Sequence, residues 1–174
     1  MSNSISIIGC GETASQWDGR GMSIGVNDCW RFGKATNILI VVNSKKQFDD
    51  ERLKYIVNAA PEHFYTHLKE WRYEFSEKCF KLLDDSNFAK WRGKLTYKIQ
   101  HSKTSPFVAI SLAYQLGYKE IKIYGADFNT HKVYSDDSKE LQAELKNYKQ
   151  LFEALKAKGV TITSTKESQI FKLL

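Results

Sequence analysis

Runs of aliphatic and β-branched residues recur along the chain, and several of them end on a glycine or an asparagine. Short apolar runs that are bounded by turn-forming residues are typical of buried strands. The run at 62–68 is predicted to pass from a strand into a loop. We predict strands over residues 4–9, 22–27, 37–43, 62–68, 95–100, 120–125 and 160–164.

Three longer stretches, 48–59, 106–117 and 138–159, have the residue spacing and composition of helices. The third has the clearest amphipathic pattern, because one stripe of it is apolar and the opposite side is charged. That stripe consists of Leu141, Leu145, Tyr148, Leu151, Phe152 and Leu155.

The ends of the second helix are marked in the sequence. Thr104 or Ser105 is a suitable N-cap, and Pro106 is preorganised for the first helical position. Gly117 fits the C-terminal end, where a left-handed backbone conformation is common.

Strands that alternate with helices predict a mainly parallel sheet that is covered on both faces. We therefore predict a Rossmann-like, three-layer α/β sandwich. The length of 174 residues, two prolines and no linker-like stretch predict a single domain over 1–174. Such sheets bind ligands beyond the carboxyl ends of their strands, so the residues that follow each strand are the candidates for function.

Residues 67–94 are rich in aromatic and charged side chains, and their structure is the hardest to predict from the pattern. Leu68, Trp71 and Phe75 have helical spacing and are predicted to face the core. A base-stacking surface is the functional alternative, and a lid or irregular insertion also remains open.

Composition and charge restrict the function classes. Apolar residues make up 42% of the chain, which excludes a disordered protein. The net charge of +6 is spread along the chain, whereas a nucleic-acid binder usually concentrates its basic residues on one face or tail. A weak basic field also suits a small phosphate ligand, and composition alone does not decide between these partners. A homo-oligomer or a place in a larger assembly stays open.

No apolar run approaches the roughly 18 residues of a membrane span, and no secretory signal pattern is present. The three cysteines, Cys10, Cys29 and Cys79, form no CxxC pair, which argues against a disulfide framework or a zinc site. We therefore expect a cytoplasmic protein.

The stretch GCGET, residues 9–13, follows the first strand. Glycines there let a backbone approach a ligand, and N–H groups at the start of a following helix could bind a phosphate. The third glycine of the dinucleotide fingerprint is missing, and Asn27 stands where a ribose-binding acidic residue would end the second strand. An NAD site is therefore disfavoured, and a simple tight turn is the alternative.

Polar residues follow other strands at the same predicted edge. Asn27 and Asn43 each end a strand, and an amide can both donate to and accept from a base edge or a ribose. Thr104 and Ser105 begin a helix, where hydroxyl and N–H groups would bind an anion. Each of these residues could instead be only a cap or turn residue.

The exit of the strand at 120–125 is Gly125-Ala126-Asp127. The carboxylate of Asp127 could hold a ribose, a metal ion or only a loop N–H group.

Two segments of the chain, residues 104–128 and 7–14, resemble a known family. TSPFVAISLAYQLGYKEIKIYGADF, residues 104–128, is very similar to a segment of the bacterial sialyltransferases of glycosyltransferase family 42, which have Thr-Ser-Gly, an alanine-rich helix, Leu-Gly-Tyr-Lys-Glu-Ile and Gly-Ile-Asp-Phe. IIGCGETA, residues 7–14, resembles their Ile-Ile-Ala-Gly-Asn-Gly-Pro-Ser. The scaffold also resembles that of the 6-hydroxymethylpterin pyrophosphokinases and of the flagellin-glycosylation accessory proteins.

The resemblance implies a pocket for the cytidine monophosphate half of a nucleotide-sugar donor. In that family the glycine loop, two asparagines after the second and third strands and the Thr-Ser pair surround this group. Carried over, the residues in this pocket are Gly9, Gly11, Asn27, Asn43, Thr104 and Ser105. Cys10 in the glycine loop and Gly125 and Asp127 at the strand exit complete the predicted nucleotide-binding set.

The chain departs from the family pattern at several of these places. Cys10 replaces an asparagine and Glu12 a proline, and a carboxylate beside a phosphate would repel it unless a metal ion intervenes. Pro106 replaces the glycine after Thr-Ser. Ser102 replaces an arginine, and Asn129 replaces a tyrosine.

The family's lid, which carries a tyrosine and a general-base histidine, is reduced here to residues 129–140. The resemblance implies His131 as the base and Tyr134 as a group that steadies a phosphate. Imidazole suits proton removal near neutral pH. A pair of metal ligands at His63 and His67 would require a helix, whereas the pattern there predicts a strand.

The resemblance implies a nucleotide-sugar-dependent glycosyltransferase of the sialyltransferase type, with a CMP-type donor and no required cofactor. One alternative is metal-dependent phosphoryl or pyrophosphoryl transfer, in which Asp127 and Glu12 would bind Mg²⁺. Another alternative is a protein that is not an enzyme: a nucleotide sensor or carrier, or a structural part of a larger assembly such as a phage.

Overall fold

The computed structural model describes residues 3–129 and 138–174, and nine strands and three α-helices lie in these two ranges. The three predicted helices and the predicted strands other than the one at 95–100 are present, although most are shorter than the run that predicts them. The strands are β1 (Ser4–Ile8), β2 (Ser23–Val26), β3 (Ile38–Ile40), β4 (His63–Thr66), β5 (Phe80–Leu82), β6 (Phe88–Lys90), β7 (Ile99–His101), β8 (Glu120–Tyr124) and β9 (Thr161–Ser164). The helices are α1 (Asp50–Val57), α2 (Ser105–Gln115) and α3 (Lys139–Lys156).

Seven of the described strands form one parallel sheet in the order β5-β4-β3-β2-β1-β8-β9. Strands β2, β3, β4 and β5 therefore follow one another on one side of β1, and β8 and β9 lie on its other side. Ile8 at the end of β1 is in register with Gly25 of β2 and Tyr124 of β8, so the carboxyl ends of these strands meet at one edge.

Both faces of the sheet are covered, which confirms the predicted three-layer sandwich. Helices α2 and α3 pack on one face, against inward residues such as Ile5 and Ile7. On the other face, α1 and short 3-10 helices pack against Ile8, Leu39 and Phe64. Because both of their faces are covered, the central strands β1, β2 and β3 are almost continuously buried, whereas β4, β8 and β9 alternate between more and less buried residues.

The ends of α2 differ slightly from prediction. Thr104 occupies the N-cap position, but the helix begins at Ser105, so Pro106 is the second helical residue and not the first. At the other end Gly117 has a φ of 92°, and the N–H of Tyr118 donates to the carbonyl of Ala113 at 3.2 Å. This bond is the left-handed helix termination that the glycine predicts.

The other two helices begin at side-chain caps. The carboxylate of Asp49 accepts from the N–H of Arg52 at 2.8 Å, so α1 starts two residues later than predicted. The hydroxyl of Ser138 accepts from the N–H of Leu141 at 3.0 Å and starts α3. The predicted apolar stripe of α3 is buried except for Leu145, which is half-buried.

Residues 67–94 contain a 3-10 helix, Lys69–Glu74, and the strands β5 and β6, which the sequence pattern does not predict. Trp71 is fully buried, and the Phe75 ring stacks on Phe64 with centroids 3.8 Å apart. Leu68 packs against the same core cluster. These side chains therefore face the core, as their helical spacing predicts.

The strand predicted over 95–100 is mostly wrong. Only its last two residues belong to β7, which pairs with β6 outside the main sheet. Glutamine side chains bond the backbone before β7: the Gln115 amide donates to the carbonyls of Thr96 and Lys98 at 2.9 and 3.2 Å, and the Gln100 amide donates to Lys94 at 2.9 Å. These carbonyls are therefore bonded without a strand partner.

In the described ranges, no helix has both the length and the apolar character that crossing a bilayer requires.

Candidate functional site

Three of the predicted site residues meet at the carboxyl edge of the sheet. The amide of Asn27, after β2, lies 3.4 Å from the hydroxyl of Ser105, in the first turn of α2. That hydroxyl donates to the amide oxygen of Asn43, after β3, at 3.1 Å. Residues that are 78 and 62 positions apart in sequence thus form one hydrogen-bonded group, which we call the Asn–Ser–Asn group.

Asn27 has two unusual features. Its φ is 51°, in the left-handed region that asparagine tolerates better than most residues. Its side-chain oxygen is buried, and no group of the described residues bonds to it. A buried acceptor without a donor costs about 1–3 kcal/mol, so this atom is a position at which a ligand donor would be stabilising.

The glycine loop after β1 is bonded to the loop after β8. The N–H of Gly9 donates to the carbonyl of Tyr124 at 2.7 Å, and that of Gly11 donates to Gly125 at 2.8 Å. A Cβ on Gly9 would lie 2.2 Å from the carbonyl oxygen of Gly125. The close backbone approach that these glycines allow is therefore to the neighbouring loop, and their two N–H groups are already used.

Asp127 serves the same junction. One oxygen accepts from the N–H of Thr13 at 2.9 Å, and the other accepts from the Thr13 hydroxyl. That hydroxyl also accepts from the N–H of Gly125 at 2.9 Å and lies 3.0 Å from the hydroxyl of Thr165. Gly11 carries no side chain at a point where a Cβ would lie 2.4 Å from the Asp127 carboxylate. The sequence left a ribose, a metal ion or a loop N–H group open as the partner of Asp127, and in the structure the carboxylate binds a loop N–H, that of Thr13.

Thr104 is turned inward. Its hydroxyl lies 2.7 Å from the carboxylate of Glu144 on α3 and 2.7 Å from the hydroxyl of Tyr148. It makes no capping bond to the N–H groups of α2, although its backbone occupies the N-cap position. Thr104 is therefore the N-cap residue, as predicted, but its side chain bonds to a buried acceptor on α3 instead of to the N–H groups of α2.

Glu144 is a buried residue that sequence reasoning missed. It is 0% exposed and also accepts from the hydroxyl of Ser102 at 2.6 Å and from the amide of Asn147 at 3.2 Å. Its burial could have been inferred from the sequence, because Glu144 lies three residues after Leu141 and four before Tyr148, on the same face of α3 as the apolar stripe.

A second missed group surrounds Cys10 and Asp28. Asp28 is fully buried, and its carboxylate accepts from Arg52 at 3.0 and 2.7 Å and pairs with Arg31 at 3.2 Å. A second nitrogen of Arg31 donates to the carbonyl of Cys10 at 2.5 Å. The hydrogen bond to Asp28 raises the pKa of Arg52.

Cys10 itself is not prepared for nucleophilic chemistry. Its thiol donates to the carbonyl of Val26 at 3.3 Å and lies 3.6 Å from the Asp28 carboxylate. Burial raises the pKa of the thiol well above its ordinary value, and the charge of Asp28 raises it further. The thiol therefore stays protonated at neutral pH, and it acts as a small packing and donor group.

The histidines of the described ranges are not arranged as metal ligands. His63 is the first residue of β4, so it and His67 do not share a helix. His67 and His101 both contact the Phe88 ring, at 5.5 and 4.6 Å between centroids, and burial lowers the pKa of each histidine. Within residues 3–129 and 138–174, no group of three or more His, Cys, Asp or Glu side chains could hold a metal ion.

A cavity of about 290 Å³ lies beside the Thr13–Asp127 junction and is lined by Glu12, Asn129 and Glu167 among others. Its acidic lining makes it an unfavourable place for a phosphate. The predicted catalytic residues, His131 and Tyr134, lie outside the described residues.

Comparisons with known proteins add a fold relationship. The chain matches solved structures of the sialyltransferase CstII from Campylobacter jejuni, one with the substrate analogue CMP-3FNeuAc at a TM-score of 0.57 and 15% identity, the other with cytidine-5'-monophosphate at a TM-score of 0.57 and 14% identity. These matches cover 100% of this chain and 85% and 84% of the neighbours. A third, of the sialyltransferase CST-II with a trisaccharide acceptor and CMP, has a TM-score of 0.58 and 14% identity, covering 98% of this chain and 84% of the neighbour.

No family model matches the chain, and no curated protein matches it by sequence. At these identities the likeness shows a shared α/β fold. It confirms the fold that the resemblance over 104–128 implies, while the nucleotide-binding roles of the individual residues stay predictions.

Proposed function

We propose that the chain binds a CMP-type nucleotide sugar and transfers the sugar to an acceptor hydroxyl. The observation that carries this proposal is the Asn–Ser–Asn group, in which one buried amide oxygen has no described donor. The group lies beyond the carboxyl ends of parallel strands, where α/β sheets bind ligands. Neighbours of the same fold are sialyltransferases with bound CMP or a CMP-sugar analogue.

The residues can be assigned roles on this proposal. Asn27 and Asn43 hold the base or the ribose, because a carboxamide offers both a donor and an acceptor. Ser105 and the first N–H groups of α2 stabilise the negative charge that develops on the departing nucleotide phosphate. The acceptor oxygen forms a bond to the anomeric carbon while the bond from that carbon to the phosphate oxygen breaks. His131 takes the acceptor proton, and Tyr134 steadies the phosphate.

Nucleotide binding to wild type and to Ser105→Ala tests the binding half of the proposal. A ligand at about 100 times its Kd stabilises the folded state by roughly 2.7 kcal/mol, which a thermal shift detects. We expect CMP to raise the Tm of wild type without a metal ion. Loss of a hydroxyl that joins both asparagines should weaken CMP binding about tenfold.

Ser111→Ala is the matched control. Ser111 lies on the same helix, is also buried and accepts from the N–H of Gln100 at 2.7 Å. This variant should lower the Tm of the free protein but keep the full CMP shift. If both variants keep it, Ser105 is only a helix-start residue. If CMP shifts neither wild type nor any variant, the nucleotide site is absent.

One observation favours a second candidate, a nucleotide-binding protein without transferase activity. The Thr104 hydroxyl and the N–H groups of Gly9 and Gly11, which could have stabilised a leaving phosphate, are bonded within the protein. CMP-sugar turnover by wild type that is lost in His131→Gln would support the transferase. CMP binding without turnover would support the sensor or carrier.

Metal-dependent phosphoryl transfer receives less support from the geometry. It would use Asp127 as an oxygen ligand, and both carboxylate oxygens of Asp127 are bonded to Thr13. A thermal shift that appears only with Mg²⁺ and a triphosphate would favour it.

A further inference from the structure

Two arginines share one buried carboxylate beside the glycine loop. Arg52 binds Asp28 through two nitrogens, at 3.0 and 2.7 Å, and Arg31 pairs with the other oxygen at 3.2 Å. Asp28 is fully buried, whereas the side chains of Arg31 and Arg52 are 38% and 35% exposed. The carboxylate is thus hidden behind the two guanidinium groups that it orients.

The pair retains positive charge and free donors. Two guanidinium groups against one carboxylate leave a net charge of +1 within the contact. Each guanidinium has five N–H donors, and the bonds to Asp28 and to the Cys10 carbonyl use only some of them. A second carboxylate, Asp49, also acts on Arg52 through its charge and accepts from the backbone N–H of Arg52 at 2.8 Å, so the excess positive charge lies mainly at Arg31.

Aromatic contacts further restrict both side chains. The Arg31 guanidinium carbon lies 5.0 Å from the centre of the Phe32 ring, and that of Arg52 lies 4.9 Å from the centre of Phe48. A cation that is held in this way loses less side-chain entropy when it binds an anion than a free surface arginine does. The pair is therefore preorganised.

The position of the pair relates it to the Asn–Ser–Asn group. Asp28 directly follows Asn27, and the Cys10 thiol bonds to the carbonyl of Val26, directly before Asn27. Cys10 packs against the core clusters of both sheet faces, so the glycine loop crosses the top edge of the sheet. The arginine pair lies with Cys29 and α1 on one side of this edge, and Ser105 of α2 lies on the other.

We propose that Arg31 and Arg52, aligned by Asp28, form the subsite for the phosphate of the nucleotide that the Asn–Ser–Asn group holds. The inference rests on the proposed function. Ser105 and the first N–H groups of α2 supply part of the donors that this phosphate needs, and the N–H groups of Gly9 and Gly11 are already bonded to the loop after β8, so the arginines supply the remaining donors. Arginine forks match the geometry of phosphate oxygens and supply charge as well as hydrogen bonds.

The test compares a ligand with a phosphate and the same ligand without it. Binding of CMP and of cytidine is measured by calorimetry for wild type and Arg31→Gln. Arg31 is the residue to change, because Asp28 keeps its two-nitrogen contact with Arg52 in that variant. We expect the Kd for CMP to rise about tenfold or more and the Kd for cytidine to stay unchanged.

Two further measurements sharpen the result. Arg72→Gln is the matched control, because Arg72 is 62% exposed and its pairing with Glu77 spans 3.8 Å. It should change neither Kd. Raising the salt concentration should weaken CMP binding to wild type more than it weakens cytidine binding.

Several results would overturn the subsite. Equal weakening of CMP and cytidine in Arg31→Gln would mean that the arginine only holds the loop, and an unchanged Kd for CMP would mean that the phosphate lies elsewhere. If wild type binds neither ligand, inorganic pyrophosphate separates the two proposals. Pyrophosphate binding that depends on Arg31 would keep the anion subsite and reject the nucleotide function, whereas no pyrophosphate binding would reject both.

Discussion

At the residue scale, the site residues differ in how their polar groups are used. The Asn27 amide oxygen is buried without a described donor, whereas both oxygens of Asp127 are bonded to Thr13. A ligand gains most from the first kind of group, because it removes an existing cost and displaces no protein bond. The asparagines are therefore better candidates for ligand contact than the carboxylate.

Glu144 is a buried side chain for which we expect a large effect on stability from a single isosteric change. Its carboxylate accepts from Ser102, Thr104 and Asn147, and no described lysine or arginine pairs with it. In Glu144→Gln one acceptor becomes a donor that faces these donors. We expect the free energy of unfolding to fall by about 1–3 kcal/mol, measured by urea denaturation.

The control for this change is Glu153→Gln on the same helix, where the side chain is exposed. It should alter the free energy of unfolding by no more than about 0.5 kcal/mol. Equal effects of the two substitutions would show that the hydrogen bonds of Glu144 contribute little to the folded state.

At the element scale, apolar runs predicted β1, β2, β3, β8 and β9 and all three helices. These elements can be predicted because the spacing of apolar residues within each run depends only on neighbouring positions. β5 and β6 were missed, since each has three residues and exists through pairing with a strand elsewhere. The strand-end rule found Asn27, Asn43 and Ser105. It included Thr13 in the loop at 9–13 but could not pair it with Asp127, which lies 114 residues away, and it did not find Arg52, which is 24 residues from Asp28.

The junction between the ends of β1 and β8 should be intolerant of any side chain. A Cβ on Gly9 would lie 2.2 Å from a backbone oxygen of Gly125, which cannot move without disturbing the bonds of that loop. Gly9→Ala should therefore lower the free energy of unfolding by about 1–3 kcal/mol, measured by urea denaturation.

Gly33→Asn is a comparison that separates crowding from backbone conformation. Gly33 has a φ of 79°, which asparagine tolerates, and a Cβ there would meet nothing within 4 Å. Its effect should be clearly smaller than that of Gly9→Ala. The opposite order would mean that the junction relaxes easily and is not closely packed.

At the scale of the whole molecule, the candidate site does not lie at the point where the strand order of the sheet reverses. The strand order reverses between β1 and β8, and parallel sheets commonly bind ligands in the crevice at such a point. Here that crevice is filled by the bonds of Gly9 and Gly11 to the β8 loop and by the Thr13–Asp127 contact. The Asn–Ser–Asn group lies instead beyond β2 and β3.

Nucleotide binding should therefore change the NMR signals of residues beyond β2 and β3, and not those at the point between β1 and β8 where the strand order reverses. We expect CMP to shift the amide NMR signals of residues 26–28, 42–44 and 103–106 most strongly. The amides of Gly9, Gly11 and Thr13 donate to protein acceptors, so their hydrogen exchange should be slow before CMP is added and should change little afterwards. If CMP instead shifts Gly9, Gly11 and Gly125 most, the ligand lies at the reversal point. The junction would then have to open on binding, and its bonds would be a closed state that competes with the ligand.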